Sequence, residues 1–497
     1  MTDYSHHLPD DVTEEPGAPE TSGEGPMGGP GRVFGQFFFS ALFCVSLALL
    51  VHDAMLSQRA REKEPRGPGA FRFGESMEWQ MRAKALIAFD SLEEHSKGQM
   101  PFYAKLAAWE APDSLKTDNP FALRRALILA GHLGRDAEAA DLARRLDRAP
   151  HQSPIQVTAN ELLRRIYLDK EPVRVPDEEV ESLERSLGWF GRIVKTDHLL
   201  LAAPEQGQRE NEALRRECLR SAVAMAIVCS LGFMAFLLGT LLILLFSHRS
   251  SAGRVNWRGV APAMRPWLAF ETFTLYLCGF AALLILGKLA RGATAGNGAE
   301  NPAAGGLALI EVLWLLACPI LVFWPALRGV STADVRRASG LMRGRGFFRE
   351  GAIGLLGYIG IIPVAVLGSV MAAAIGVAVG QSVSEHPLAP ILAGHPPLSE
   401  VAFLLFLAVA VAPITEEIFF RGMFYGWLRS RMSAPAAVAV SALVFASLHP
   451  QGLLGVPVLM ALGIGFAILR EWRGSLIAPM VAHALVNGVT TVILLSI

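Results

Sequence analysis

Nine long apolar segments recur along the chain, and they constrain its fold more than any other feature of the sequence. Each is at or near the ~20 residues that a helix needs to cross a hydrocarbon core of ~30 Å. They predict an all-α, polytopic helical membrane protein with about nine transmembrane helices. The segments lie near residues 33–51, 221–246, 267–287, 305–327, 352–380, 401–427, 434–449, 453–470 and 475–496.

Composition supports this fold class. Hydrophobic residues make up 52% of the 497-residue chain and charged residues only 18%, values typical of a membrane protein with some soluble mass attached. The formal net charge is zero, so nothing indicates a nucleic-acid partner. The lipid bilayer is the first partner that the sequence predicts.

The sequence divides into five parts. Residues 1–32 are rich in Pro, Gly and acidic residues and are expected to form a disordered tail. Residues 33–51 follow as a transmembrane anchor. An acidic lead and the lack of a small-residue cleavage site argue against a signal peptide. Residues 221–380 would form accessory transmembrane helices, and residues 395–497 the core that carries the polar motifs described below.

The fifth part, residues 54–218, is the only sizeable soluble block, and its apolar spacing predicts helices. Two of them, joined by Gly134-Arg135, carry small residues at contact spacing, like one hairpin of a tetratricopeptide-type repeat. A plain helical domain is an equal alternative. This domain is the candidate binding surface for a protein partner. The predicted helices are Met77–Leu92, Phe121–Leu133, Asp136–Leu146, Ile155–Leu168 and Asp177–Trp189.

Charge in the short loops predicts the orientation. Arginines are concentrated in alternate loops, which places those loops in the cytoplasm. Counting back puts the N-terminus in the cytoplasm and residues 54–218 outside, with the plasma (inner) membrane as the expected location. Five basic residues directly after the first anchor oppose this orientation, but long domains translocate largely regardless of charge.

A pair of adjacent glutamates lies in the sixth apolar segment. A carboxylate at membrane depth is costly unless it is paired or hydrated, and two neighbours resist joint ionisation. Glu417 and Arg421 are four residues apart in the favourable order for an ion pair along a helix. Glu416 projects about 100° away from Glu417. The spacing therefore predicts one structural carboxylate and one available carboxylate.

Three more polar residues follow in later apolar segments: His449, His483 and Asn487. Counted from the predicted cytoplasmic helix ends, Glu416 and these three lie within a depth band of ~10 Å. Convergence on one pocket is thus geometrically allowed. A carboxylate can act as a general base toward water, an imidazole can share that water, and a second imidazole and an amide can stabilise an oxyanion. The set predicts a hydrolytic site.

These residues also resemble a known family, the CPBP intramembrane proteases, which include the type II CAAX prenyl endopeptidases and bacteriocin-immunity proteins. The family signature is Glu-Glu-x-x-x-Arg, then Phe-x-x-x-His, then His-x-x-x-Asn or a similar final residue. The chain has Glu416-Glu417-Ile-Phe-Phe-Arg421, Phe445-Ala-Ser-Leu-His449 and His483-Ala-Leu-Val-Asn487. The resemblance covers roughly the last hundred residues.

The resemblance implies a membrane-embedded endopeptidase that acts on a peptide or membrane-protein substrate, prenylated or not. Glu416 with His449 would activate water, and His483 with Asn487 would hold the oxyanion. The family was first described as metalloproteases and later as glutamate-dependent enzymes. We favour a site without a cofactor. The alternative is zinc held by Glu416, His449 and His483, although each comes from a different helix and no HExxH motif is present.

Two other function classes stay open from the sequence. The chain could be a non-catalytic receptor or assembly protein whose outer helical domain binds a partner and whose polar cluster is only structural. A transporter is a weaker alternative, because no inverted repeat or pair of broken helices supports it. The presence of both histidines together with Glu416 favours the protease.

Overall fold

The computed structural model describes residues 30–63, 73–95, 119–149, 154–169, 181–184, 187–260, 264–293, 302–379 and 397–496. Every regular element in these ranges is a helix, and none of the described residues forms a strand. The predicted all-α class is therefore confirmed. The predicted disordered tail falls mainly on residues 1–29, outside the described residues, and the first helix already begins at Pro30.

The soluble part contains a small helical core. Helices α3 and α4 form the predicted antiparallel hairpin, and the fully buried Leu123, Leu127 and Ile128 pack inside it. Pro120 opens α3, and the Asn119 side chain caps it by accepting from the Phe121 N–H. The helices of this part are α2 (Phe73–His95), α3 (Pro120–His132), α4 (Asp136–Arg148), α5 (Pro154–Arg164, continued by a π-turn Arg165–Asp169) and α6 (Trp189–Ala202).

One predicted helix of this part ends earlier than predicted. The sequence predicts a helix over Asp177–Trp189, and residues 181–184 are helical. Gly188, however, has a φ of +58°, which ends a helix there, and α6 begins one residue later. Residues 177–180, 185 and 186 lie outside the described residues. The sequence predicted no helix at the position of α6. This helix starts directly after Gly188 and has no side-chain cap, so the usual signal of a helix start is missing.

The soluble part is joined to the membrane part by one long helix, α7 (Pro204–Ser251). Its first turns bury Leu214 and Cys218 in the soluble core, and its later turns are apolar and exposed. The domain boundary predicted between residues 218 and 221 therefore lies inside a continuous helix. The first anchor is also longer than predicted, because α1 runs from Pro30 to Lys63.

The remaining helices form an apolar bundle. Seven helices among the described residues are long and apolar enough to cross a membrane, and two further apolar ones, Val312–Leu327 and Ala434–Ser447, are shorter. Together they account for all nine predicted segments, so the chain is an integral membrane protein. Beyond α1 and α7 the bundle consists of α8 (Pro266–Ala293), α9 (Pro302–Ala317), α10 (Thr332–Ser339), α11 (Phe347–Val379), α12 (Leu398–Arg429), α13 (Ala434–Ser447), α14 (Gly452–Arg473) and α15 (Ile477–Ser496).

Buried ion pairs hold one end of this bundle together. The Arg473 guanidinium donates to both carboxylate oxygens of Glu350, at 2.8 and 2.7 Å. Glu471 accepts from Arg429 and from the Tyr425 hydroxyl. Because such bidentate pairs fix side-chain geometry, they tie α14 to α11 and to α12 at this end.

The helix α7 packs on α11 through a glycine. A Cβ at Gly239 would overlap the Ile359 carbonyl oxygen and lie 2.8 Å from Pro363 Cδ. Gly239 therefore permits a backbone approach that no other residue allows, as small residues do between membrane helices. Gly232, two turns earlier on the same helix, has nothing within 4 Å of such a Cβ.

This contrast gives a matched prediction. We expect Gly239→Ala to destabilise the protein by ~1–3 kcal/mol, because α7 and α11 must move apart. Gly232→Ala should be neutral or stabilise by up to ~1 kcal/mol through helix propensity. Thermal unfolding of the full-length protein in detergent measures both. Equal melting temperatures for the two variants would contradict the close packing of these helices.

Candidate active site

The helix α12, which carries the glutamate pair, is not a regular α-helix. Two π-helical segments, Leu407–Val411 and Ile418–Phe424, flank a short α-helical stretch, Ala412–Glu417. Pro413 has no N–H to donate to the carbonyl four residues before it, which favours a wider turn at this place. Such π-bulges occur frequently at functional sites. They set the directions in which Glu416 and Glu417 project.

Glu417 forms the centre of a fully buried polar cluster. The Arg421 Nη1 donates to Glu417 Oε1 at 2.9 Å, and both side chains are 0% exposed. The pair predicted from their i,i+4 spacing is thus present. The same oxygen accepts from His483 Nδ1 at 3.0 Å. Arg421 also donates to the Gly463 carbonyl at 3.2 Å, and its guanidinium lies 4.3 Å from the centre of the Phe445 ring.

The contact between Glu417 and His483 gives Glu417 a second partner that the sequence does not predict. Spacing along one helix reveals the Arg421 pair but not a partner 66 residues away on α15. The His483 ring also stacks on Phe466, with ring centres 4.7 Å apart. No sequence signal distinguishes Phe466 from the other apolar residues of α14. His483 is thus held in orientation from two sides.

Glu416 points away from Arg421 and towards both histidines. Its Oε2 lies 3.9 Å from His449 Nε2 and 3.8 Å from His483 Nε2. These distances are too long for direct hydrogen bonds. The side chains of Glu416 and His449 are each 22% exposed, whereas that of His483 is 5% exposed. Glu416 is thus the more accessible carboxylate of the two.

The hydrogen bonds of the histidines determine their tautomers. His449 Nδ1 lies 2.7 Å from the Phe445 carbonyl, which can only accept, so Nδ1 carries the proton. His483 Nδ1 faces the Glu417 carboxylate and donates to it for the same reason. In the neutral rings, both Nε2 atoms therefore present lone pairs towards Glu416. Two imidazole acceptors thus lie 3.9 and 3.8 Å from Glu416 Oε2.

Asn487 lies one turn beyond His483 on α15, and its amide is engaged elsewhere. The Nδ2 group donates to the Ala408 carbonyl at 2.8 Å, in the first π-helical segment of α12. This bond satisfies a backbone group of the irregular helix and ties α15 to α12. One of the two amide hydrogens is used in this way, and one is left for another acceptor.

The set of Glu416, His449 and His483 has the donor types that zinc prefers, but not the spacing. A zinc ion ~2.0–2.1 Å from two atoms that are 3.8 Å apart would subtend roughly 140°, against about 109° at a tetrahedral centre. Two atoms at this separation can both bind one bridging water oxygen at ~2.8 Å from each. Among the described residues, no group of three or more His, Cys, Asp or Glu side chains is placed to hold a metal ion.

Several buried polar atoms of this region have no hydrogen-bond partner among the described residues. Buried polar groups are normally paired, so such a concentration indicates a place where water or a polar ligand is bound. The atoms in the helices of the site are Thr415 Oγ1, Glu416 Oε2, Glu417 Oε2, Arg421 Nε and Ser441 Oγ.

A comparison with protein families identifies the same part of the chain. Residues 398–489, about a fifth of the sequence, match the family model described as type II CAAX prenyl endopeptidase Rce1-like. The match spans the three motifs, and the resemblance to this family is confirmed for that segment. The chain has no significant match among curated proteins or among solved structures.

Proposed function

We propose that the protein is an intramembrane endopeptidase that hydrolyses a peptide bond with water activated by Glu416 and His449. The observation that carries this proposal is the convergence of Glu416, whose side chain is 22% exposed, with two imidazole Nε2 atoms, at 3.9 and 3.8 Å from its Oε2. The family match over residues 398–489 supports peptidase chemistry in general. A purely structural polar core has no need of two lone pairs directed at a carboxylate.

The geometry suggests a division of roles. A water between Glu416 and His449 donates its hydrogens to these two acceptors, and its oxygen attacks the scissile carbonyl carbon. Glu416 takes up one proton and later returns it to the leaving amine. The pair of Glu417 and Arg421 holds His483 in place through the bond to Nδ1. Asn487 fixes the irregular turn before the glutamates and has one amide hydrogen to offer to the oxyanion.

The substrate in this proposal is a CAAX-type prenylated peptide or another peptide presented at membrane depth. We place the N-terminus in the cytoplasm, residues 54–218 outside and the protein in the plasma membrane, on the distribution of arginines in the short loops. Residues 54–218 would bind a protein partner. The continuous helix α7 supports such a role, because it connects this domain to the helix α11, which packs on α14 and α15.

The proposal is tested with the full-length protein reconstituted in lipid vesicles. Farnesylated CAAX peptides and matched unprenylated peptides are added, and fragments are identified by mass spectrometry. We expect cleavage at one peptide bond, faster for the peptide that partitions into the membrane. Intact peptides after prolonged incubation in both series would argue against the protease and for the receptor alternative.

Chelation distinguishes the two versions of the mechanism. Because the spacing of Glu416 from the two histidines suits a bridging water better than a zinc ion, we expect cleavage to persist within ~2-fold after exhaustive dialysis against a strong chelator. Elemental analysis of the dialysed protein should find well below one metal ion per chain. Loss of cleavage on chelation, with recovery on addition of zinc, would contradict the metal-free mechanism.

A further inference from the structure

A strongly basic segment, residues 331–350, contains α10 and the first turn of α11. Five arginines and only two acidic residues lie in it, and it has no lysine. The segment lies outside the residues that match the peptidase family and contains none of the proposed site residues. Such an excess of positive charge predicts either a solvated face or an anionic partner. The arginines are Arg336, Arg337, Arg343, Arg345 and Arg349.

Both carboxylates of the basic segment already have partners. Asp334 forms an ion pair with Arg337. Glu350 is fully buried and accepts two hydrogen bonds from Arg473 and one from the Arg345 backbone N–H. The segment therefore has no carboxylate left for its other guanidinium groups. Four exposed arginine side chains form no ion pair and no hydrogen bond with any residue that the structure describes: Arg336, Arg343, Arg345 and Arg349.

Other arginines at this end of the bundle differ in this respect. Arg328 pairs with Glu271 at 2.9 Å, and Arg429 pairs with Glu471 at 3.1 Å. A partner from within the bundle is thus the usual arrangement here. The basic segment departs from it, which points to an anion supplied from outside the bundle.

The backbone of the basic segment holds its arginines close together. The Gly346 N–H donates to the Arg343 carbonyl at 2.9 Å, which closes a four-residue turn whose ends lie within ~7 Å of each other. Gly344 has a φ of +58°, and a Cβ there would lie 2.6 Å from a Glu350 carboxylate oxygen, so only glycine fits. Arg349 follows in the first turn of α11. The turn thus gathers three unpaired guanidinium groups in one small region.

The same turn is fixed to the rest of the bundle. The Leu476 N–H donates to the Gly340 carbonyl at 3.0 Å, and the Ser475 hydroxyl donates to the Met342 carbonyl at 2.7 Å. Both donors lie directly before α15. These bonds reduce the conformational entropy that the turn would lose on binding a ligand. A ligand on the turn would in turn stabilise the packing of the basic segment against the start of α15.

Two exposed phenylalanines lie directly beside these arginines. Phe347 is 62% exposed and Phe348 is 89% exposed, and they open α11 immediately after the turn. From residue 351 to Val379 this helix has no charged residue and is a candidate membrane span. The two rings therefore lie at the boundary between the polar turn and the apolar span. Aromatic rings beside cationic side chains at such a boundary are typical of segments that insert into the headgroup region.

We infer that the basic segment is a binding surface for anionic phospholipid headgroups. The guanidinium groups of Arg343, Arg345 and Arg349 bind the lipid phosphate, because a planar guanidinium matches phosphate oxygens in pairs. Phe347 and Phe348 contact the acyl chains next to that phosphate. A soluble acidic protein or a nucleic acid would satisfy the charges but leave both rings in water. The inference does not depend on the proposed peptidase function.

Lipid binding to the full-length protein in detergent is measured by native mass spectrometry. The probes are phosphatidylglycerol and phosphatidylcholine with identical acyl chains. We expect phosphatidylglycerol to bind the parent at least ~10-fold more tightly than phosphatidylcholine. The triple variant Arg343→Gln/Arg345→Gln/Arg349→Gln should lose at least ~10-fold in affinity for phosphatidylglycerol. Its melting temperature without added lipid should stay close to that of the parent, because exposed, unpaired side chains contribute little to stability.

A charge-matched control removes three exposed arginines from the soluble part, each of which has its own carboxylate partner: Arg144→Gln/Arg164→Gln/Arg216→Gln. We expect this control to bind phosphatidylglycerol within ~2-fold of the parent. Equal affinities of the parent for the two lipids would overturn the inference. So would equal losses in the two triple variants, which would reflect net charge rather than a defined surface.

Two further arms distinguish a lipid surface from other occupants. The double variant Phe347→Ser/Phe348→Ser keeps every arginine and should bind phosphatidylglycerol ~3-fold or more weakly, because the acyl contact is lost. Soluble glycerol phosphate at the lipid concentration should not displace the lipid. Parent-like binding by the double variant, or displacement by glycerol phosphate, would indicate a simple phosphate site and overturn the inference. Lipid binding only after deletion of the acidic residues 2–25 would assign the surface to that tail and overturn it as well.

Discussion

Replacing Arg421 by leucine is expected to destabilise the protein by ~3–5 kcal/mol, the largest effect on stability that the structure predicts. The guanidinium is 0% exposed and pairs with an equally buried Glu417 carboxylate at 2.9 Å. Removing one member of a buried pair leaves the other charge without a partner in a medium of low dielectric. Thermal unfolding of the full-length protein in detergent measures the loss.

The chain offers a matched control for this substitution. Glu212 and Arg216 have the same order and the same i,i+4 spacing, but their side chains are 70% and 62% exposed. Because exposed pairs of this kind contribute only ~0.3–0.5 kcal/mol, Arg216→Leu should hardly change the melting temperature. A loss on Arg421→Leu as small as that on Arg216→Leu would show that Glu417 does not depend on this partner.

Replacing Glu416 by glutamine is expected to lower kcat for peptide cleavage by ~10²–10⁴-fold, the range that removal of a general base produces. Glutamine has the same shape but cannot take a proton from water. It leaves Glu417 bonded to Arg421 and His483, so the melting temperature should stay close to that of the parent. This pattern separates the two neighbouring carboxylates: Arg421→Leu acts on the fold, and Glu416→Gln acts on the chemistry.

The sequence predicted those features of the fold and site that depend on local spacing. Apolar length located the membrane helices, and the four-residue spacing of Glu417 and Arg421 predicted their ion pair. Both signals arise from properties that repeat along one helix, the rise of 1.5 Å per residue and the period of 3.6.

The features that the sequence did not predict depend on contacts between distant segments. The bond from His483 to Glu417 and the stacking of Tyr276 on Phe419 join helices separated by 66 and 143 residues. The π-helical turns around the glutamates also lack a local sequence signature beyond Pro413. They depend on hydrogen bonds from other helices to their backbone, such as the one from Asn487 to the Ala408 carbonyl. The start of α6 after Gly188 was missed for a related reason, since it has no side-chain cap.

The most direct test of the central claim compares three forms of the full-length protein in vesicles: the parent, Glu416→Gln and Glu400→Gln. Glu400 is an exposed carboxylate in the first turn of the same helix and serves as the matched control. Mass spectrometry measures the peptide fragments released from a farnesylated CAAX peptide. If Glu416 is the base, the parent and Glu400→Gln cleave the peptide, and the cleavage rate of Glu416→Gln is at least ~100-fold lower. Equal cleavage by all three forms would contradict the mechanism.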